Sequence, residues 1–165
     1  MVENRRELRN VLGSFPTGIT VMTAGRDLPC GMTANSFTSV SLEPPLVLVC
    51  VSRTAAMHDV VLEEKAFALS VLSVSQEQVA RRFADRSRPR GRREFEGVAI
   101  QQGGHTGAPV LLGSLAWFEC GLAAVYEGGD HSVLLGSVLD AGRAPTEEAL
   151  LFYKGAFRRV EGPTV

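Results

Sequence analysis

Gly31-Met32-Thr33-Ala34-Asn35-Ser36-Phe37-Thr38-Ser39-Val40-Ser41 is the segment that decides the fold assignment. It is dense in small, hydroxyl and amide side chains, which are uncommon in the interior of a strand. Small residues let a flat ligand approach the backbone, whose N–H groups can then bond ring heteroatoms. The hydroxyls can bond a phosphate or a ring carbonyl. The segment therefore indicates a ligand-binding strand, and the alternative is a Thr- and Ser-rich edge strand that faces water.

On both sides of this segment, short β-branched runs alternate with tight turns. Apolar residues recur at helical spacing over residues 3–14, which predicts an opening helix. Thr54 is the expected N-cap of a second helix that ends at Lys65, and Ser75 with Gln78 matches the capping box of a third. The predicted strands cover residues 19–23, 30–40, 46–52, 67–72, 114–126, 131–141 and 150–153.

Because helices are few and several strands are joined by tight turns, the sequence predicts a mainly β protein. The expected architecture is an antiparallel barrel with a few peripheral α-helices. Residues 46–52 are apolar on both faces, which predicts a central strand. The polar residues 85–96 are expected to form a mobile excursion. No linker or internal repeat divides the chain, so we expect a single domain over residues 1–165.

The bulk composition excludes several classes of function. The net charge is −1 and the sequence pI is about 6.3, so no global field attracts nucleic acid or an anionic membrane. No apolar run follows the first basic residues, and the longest apolar run, Leu46 to Val51, is too short to span a bilayer. The three cysteines fit reduced, mostly buried thiols. We therefore predict a cytoplasmic protein that binds neither nucleic acid nor membrane.

Common catalytic and cofactor motifs are absent from the sequence. There is no dinucleotide-binding Gly-x-Gly-x-x-Gly, no Walker A motif and no Gly-x-Ser-x-Gly elbow. The histidines at positions 58, 105 and 131 lack metal-ligand spacing, so no metal site is predicted.

Two short motifs are candidate binding elements. Ser52-Arg53-Thr54 follows a predicted strand and opens a helix, where free N–H groups and the helix dipole favour a phosphate. The alternative is an ordinary N-cap beside an exposed arginine. Asp130 could orient His131 at a predicted hairpin and support a positive charge on its imidazole, and the alternative is a solvated turn.

A basic run over residues 86–93 contains five arginines. It could attract the phosphates of a dinucleotide. The alternative is a solvated loop, which the bare charge pattern favours.

Taken together and in this order, these stretches resemble the flavin reductase-like family of short-chain NAD(P)H:flavin oxidoreductases, the reductase components of two-component flavin-dependent monooxygenases. The resemblance covers nearly the whole chain. The matching pieces are Phe15 to Thr23, Gly31 to Phe37, Ser39 to Leu46, Cys50 to Thr54, Phe67 to Leu72, Arg82-Phe83-Ala84 and Gly129-Asp130-His131.

The resemblance implies a homodimeric, antiparallel Greek-key split β-barrel that binds FAD or FMN near the subunit interface and uses NADH or NADPH. The cofactor-binding residues it implies are Thr33, Ala34, Asn35 and Ser36 at the ring and ribityl chain, with Ser41, Ser52, Arg53 and Thr54 at the flavin phosphate. His131 would lie beside the nicotinamide. The basic run falls where such proteins vary, so no role is transferred to it.

The expected activity is hydride transfer from NAD(P)H to the flavin, with reduced flavin passed to a separate monooxygenase. Catalysis then consists mainly of positioning the two rings, because the flavin carries the chemistry. Two alternatives remain open. The chain could be a non-catalytic flavin- or haem-binding split-barrel protein, or a flavoenzyme similar to pyridoxamine-phosphate oxidase. The choices between FAD and FMN, and between NADH and NADPH, also stay open.

Overall fold

The computed structural model describes residues 4–144 and 148–160. Three α-helices and two 3-10 turns accompany twelve strands in these ranges. The helices are α1 (Arg5–Leu12), α2 (Ala56–Glu64) and α3 (Glu77–Ala84), and the 3-10 turns are Val74–Gln76 and Gly91–Phe95. The strands are β1 (Thr17–Gly18), β2 (Thr20–Ala24), β3 (Cys30–Ala34), β4 (Thr38–Leu42), β5 (Pro45–Ser52), β6 (Ala66–Val71), β7 (Ile100–Gln102), β8 (Pro109–Leu111), β9 (Ala116–Gly128), β10 (His131–Arg143), β11 (Leu150–Tyr153) and β12 (Ala156–Arg159).

The main sheet has seven strands in the order β3-β2-β6-β9-β10-β5-β4, and every pairing in it is antiparallel. β3 and β4 follow each other in the chain but lie at opposite edges of this order. In a flat sheet those edges would be about 28 Å apart, since neighbouring strands are about 4.7 Å apart. The link from Ala34 to Thr38 reaches at most about 14 Å. The sheet must therefore curl until its edges meet, which makes it a barrel.

A side chain of this link also ties it to β5. The Ser36 hydroxyl donates to the Cys50 carbonyl at 3.1 Å and accepts from the Cys50 N–H at 2.9 Å. It therefore occupies a hydrogen-bonding position of the kind a neighbouring strand would fill. We call the link Asn35–Phe37, together with its contact to β5, the seam.

The prediction of one extended stretch over residues 30–40 is thus wrong in one respect. The structure has two strands there, β3 and β4, separated by the seam. The physical reason is the sheet order, because one uninterrupted strand could not lie at both edges.

The core fills the barrel and the space under α2 and α3. Val47, Val49 and Val51 on β5 are buried, whereas the residues that alternate with them are half-buried or exposed. β5 lies between β4 and β10, so it is an inner strand, next to the edge strand and not at the centre of the sheet. Within one chain its other face is covered only in part.

Two helix starts differ from the sequence-based expectation. The N-cap of α2 is Ala55, whose methyl group cannot accept a hydrogen bond, and Thr54 instead contacts Ser52. The capping box lies two residues earlier than predicted, at Ser73 and Gln76, and opens a 3-10 turn that leads into α3. Strands β7, β8 and β12 were not predicted, since each has only three or four residues.

A second, three-stranded sheet, β1-β11-β12, lies beside α1. Lys154 in its β11–β12 turn donates its N–H to Gly13, which ends α1. None of the helices in the described ranges is long and apolar enough to cross a membrane.

Candidate active site

A cavity of about 400 Å³ lies between β3, the start of α2 and the segment that follows α3. That volume is in the range of small-molecule sites. It brings together seven of the nine site residues predicted from the sequence, namely Thr33, Ala34, Asn35, Ser36, Ser52, Thr54 and His131.

One wall of the cavity is the backbone of β3, which among the described strands pairs with β2 alone, so its other edge is not paired with a strand. The Gly31 N–H points away from β2, since it donates to the Glu94 carboxylate at 3.0 Å. Alternate residues of an antiparallel strand bond in the same direction, so the backbone of Thr33 also points away from β2. Since the Gly31 N–H is taken by Glu94, the Thr33 N–H is the outward-facing amide of β3 that stays available to a flat ring.

The hydroxyls of this wall have other partners. Thr33 Oγ1 donates to the Ala80 carbonyl at 2.6 Å, which ties β3 to α3. Ser36 Oγ is held at the seam. Asn35 is exposed, and its amide has no partner among the residues that the structure describes. Of the polar side chains on this wall, Asn35 is therefore the one available to a ligand.

The opposite wall is an anion cradle at the start of α2. Ser52 and Thr54 place their hydroxyls 3.1 Å apart, at the end of β5. Because Ala55 offers no side-chain cap, the first N–H groups of α2 are left for a ligand. Ala56 and Met57, in that first turn, line the cavity.

Two predicted residues lie outside the cavity. The Ser41 hydroxyl accepts from the Glu43 N–H at 3.2 Å on β4. Arg53 extends toward Glu127, 4.0 Å away, and its side chain is 53% exposed. The structure of a single chain therefore does not bring Ser41 or Arg53 to the other site residues.

His131 opens β10 directly across from Ser52, its register partner on β5. The β9–β10 turn positions it, and Gly129 in that turn takes a φ of +72°, which glycine tolerates best. Nδ1 of His131 lies 2.7 Å from Oδ1 of Asp130. The hydrogen bond and the charge of His131 lower the pKa of Asp130. Asp130 thus orients the imidazole, while half of the ring stays accessible.

The structure also brings Arg86, Arg88 and Arg90 to the cavity, on the side of Cys30 and Gly31. The sequence showed the basic run but not where it lies. The charge pattern did not indicate which of the five arginines face the cavity, because residues 86–88 form a turn and a bend and not a regular strand or helix. Burial, followed by the nearby Glu94 charge, raises the pKa of Cys30 to about 11, so this thiol stays protonated.

Similarity to known proteins identifies the family and the fold. The profile of the family described as "Flavin reductase like domain" matches residues 12–161. The chain belongs to the flavin reductase-like family.

Three relatives illustrate the likeness. The chain is 52% identical to an NADH-dependent FAD reductase of Streptomyces globisporus, over 95% of this chain and 86% of that protein. It is 37% identical to HsaB, a flavin-dependent monooxygenase reductase subunit of Rhodococcus jostii, over 94% of this chain and 78% of the other. The crystal structure of BorF, the flavin reductase component of a bacterial two-component tryptophan halogenase, superposes with a TM-score of 0.92 at 48% identity, covering 96% of this chain and 99% of BorF.

These relatives confirm the predicted class and architecture. The chain is an NAD(P)H:flavin oxidoreductase with a mainly β, antiparallel split-barrel fold. The cavity fits a flavin on its own chemistry, because it combines a free strand edge for ring heteroatoms with an uncapped helix start for a phosphate.

Proposed function

We propose that this flavin reductase binds FAD or FMN against β3, takes a hydride from NADH or NADPH there, and delivers reduced flavin to a separate monooxygenase. The arrangement that carries the proposal is the free edge of β3 facing the anion cradle of α2 across one cavity. The similarity to flavin reductases and reductase components of monooxygenases supports it. This similarity also disfavours the non-catalytic alternative.

The residues divide the work by position. The backbone N–H of Thr33 and the side-chain amide of Asn35 hold the ring edge, Ala34 lines the wall between them, and Ser36 keeps the wall in place from the seam. Ser52 and Thr54, with the first turn of α2, hold the flavin phosphate. When bound, the flavin accepts the hydride and carries the electrons. The protein contributes by holding the rings in near-attack geometry and by directing N–H dipoles at the developing negative charge.

His131 positions the nicotinamide nucleotide in this proposal. Its ring is fixed by Asp130 and faces the cavity beside Ser52. No general base is required of it, because hydride leaves the nicotinamide without releasing a proton.

His131→Ala should raise KM for NADH about tenfold, the size of one lost hydrogen bond. Flavin affinity should change less than twofold. Steady-state kinetics at saturating flavin and flavin fluorescence titration measure the two effects. His105→Ala is the matched control, since His105 is exposed and outside the cavity. An equal loss of flavin affinity in His131→Ala would refute the division of roles.

Asn35→Leu should affect flavin binding and not the use of NADH, the opposite of the result expected for His131→Ala. It removes the free polar side chain of the β3 wall, so flavin binding should weaken by about 1–3 kcal/mol, while KM for NADH at saturating flavin stays within twofold. Titration of the FMN and FAD fluorescence measures the loss. Unchanged affinity for both flavins would show that the ring lies elsewhere.

We further propose that the protein is a cytoplasmic homodimer. The outer face of β5 is covered only partly within one chain, and apolar residues on neighbouring strands are exposed, including Leu42 at 95% and Leu139 at 50%. Such a patch is typical of a subunit interface. Sedimentation equilibrium tests the oligomeric state. The dimer could also bring Ser41 and Arg53 near the partner's flavin, as the resemblance implies.

A further inference from the structure

We propose that Arg86 and Arg90 form a binding subsite for the diphosphate of a dinucleotide, at the side of the cavity away from the anion cradle of α2. The inference rests on the proposed flavin reductase function and names the ligand group that this side of the site takes. It concerns two arginines of the basic run, for which the charge pattern alone favours a solvated loop.

The first step is that Arg88, between them, is not available to a ligand. Its Nε donates to Glu94 Oε2 at 3.1 Å, Nη1 donates to the Asp85 carbonyl at 2.7 Å, and Nη2 donates to the Gly31 carbonyl. Its side chain is 11% exposed. Arg88 therefore anchors the segment to β3 and neutralises a buried carboxylate.

The second step is that the flanking arginines are free. Arg86 and Arg90 both line the cavity, and neither has a hydrogen bond or an ion pair with any residue in the described ranges. Residues 85–94 contain five arginines against two carboxylates, and Glu94 is already paired. Two unpaired guanidinium groups at a cavity mouth are suited to phosphate oxygens, which they can bind in bidentate fashion.

The third step is that the segment is preorganised. The Ser87 N–H and hydroxyl both donate to Asp85 Oδ1, which fixes the turn that holds Arg86. Gly91 donates its N–H to Glu94 Oε1 at 3.3 Å, which fixes the backbone just after Arg90. The two guanidinium groups are thus carried on a backbone held at both ends.

The final step is the choice of a diphosphate. The anion cradle at Ser52 and Thr54 already serves the flavin monophosphate in the proposed function. Arg86 and Arg90 form a second cationic pair, on the side of Cys30 and Gly31. We therefore assign to this pair the more distant phosphates of a dinucleotide. Both NADH and FAD contain a diphosphate, whereas FMN and reduced nicotinamide mononucleotide do not.

The test compares Arg86→Ala, Arg90→Ala and the double variant with Arg93→Ala. Arg93 has an exposed side chain outside the cavity, so Arg93→Ala controls for the lost charge. Calorimetry with ADP-ribose, a diphosphate without nicotinamide or flavin, should show affinity falling about tenfold for each arginine removed, and Arg93→Ala within twofold of the parent.

Two further arms identify the source of the diphosphate. If it belongs to the hydride donor, KM for NADH rises about tenfold and KM for reduced nicotinamide mononucleotide does not change. If it belongs to the flavin, the Kd of FAD rises and that of FMN does not. Either result supports the subsite. Unchanged ADP-ribose, NADH and FAD binding, or an equal loss for FMN and FAD, would overturn it. Turnover of FMN by the parent protein reports separately on the proposed function.

Discussion

Glu94→Ala is expected to lower the free energy of unfolding by about 3–5 kcal/mol, because removing one partner of a buried ion pair leaves the other charge uncompensated. Glu94 is 1% exposed and accepts from Arg88 and from the N–H groups of Gly31 and Gly91. Alanine would leave the Arg88 guanidinium and two amides without their acceptor. Urea unfolding followed by circular dichroism measures the change.

Glu96→Ala is the matched control, since Glu96 is an exposed carboxylate two residues along the chain. It should change stability by less than about 0.5 kcal/mol. The double variant Arg88→Ala/Glu94→Ala should be more stable than Glu94→Ala, because it no longer buries an unpaired charge. Equal stability of Glu94→Ala and Glu96→Ala would mean that the pair does not support the fold.

Glu119→Ala should destabilise the protein by roughly 2–4 kcal/mol, since buried amides lose a charged acceptor. The Glu119 carboxylate is 2% exposed and accepts from the N–H groups of Gly104, His105 and Thr106 and from the Thr106 hydroxyl. It holds the loop between β7 and β8 against β9. Gly103 makes room for it, because a Cβ there would lie 2.2 Å from Glu119 Oε1.

The same site gives the protein part of its pH dependence. Burial opposes ionisation of Glu119, but the hydrogen bonds from Thr106, His105 and Gly104 together lower its pKa below the ordinary 4.5. A carboxyl with a lowered folded-state pKa contributes stability that is complete above the unfolded pKa and is lost as the pH falls through the folded value. Unfolding of the parent chain should therefore become easier below about pH 4.5.

Glu119→Gln removes the negative charge of the side chain but keeps its size and shape. It can keep the bonds to Oε1 and should cost less than the alanine change, but it does not take up a proton as the pH falls. Its stability should fall less than that of the parent between pH 5 and pH 3, measured by thermal unfolding at each pH. A parent and a glutamine variant with parallel pH profiles would contradict the assigned role.

Most of the fold could be predicted from local patterns. The β9–β10 hairpin follows from two long β runs joined at Gly129 and Asp130, and that turn also places His131. The division of residues 30–40 could not be predicted, because it depends on which strands become sheet edges. Edge position is decided by long-range pairing, and no residue within the stretch encodes it.

The parts of the candidate site that bind through backbone N–H groups could be predicted from the sequence. Small residues marked the β3 wall, and Ser52 and Thr54 marked the anion cradle. The contribution of Arg86, Arg88 and Arg90 to the cavity was missed. Their placement depends on the buried Glu94, and the sequence does not indicate that Glu94 is buried. Thr54 was misassigned as the N-cap because the helix begins one residue later than predicted, at Ala56, and its N-cap Ala55 lacks the side-chain acceptor that marks such a position in a sequence.

The seam at residues 35–37 has a consequence for how such a protein can evolve. The same short link that joins the two sheet edges also supplies Asn35 and Ser36 to the cavity. A mutation at Asn35 or Ser36 that strengthens ligand binding must therefore also preserve the link between the two sheet edges. Weaker or stronger ligand binding can accordingly be selected more easily at Arg86 and Arg90, which form no part of that link.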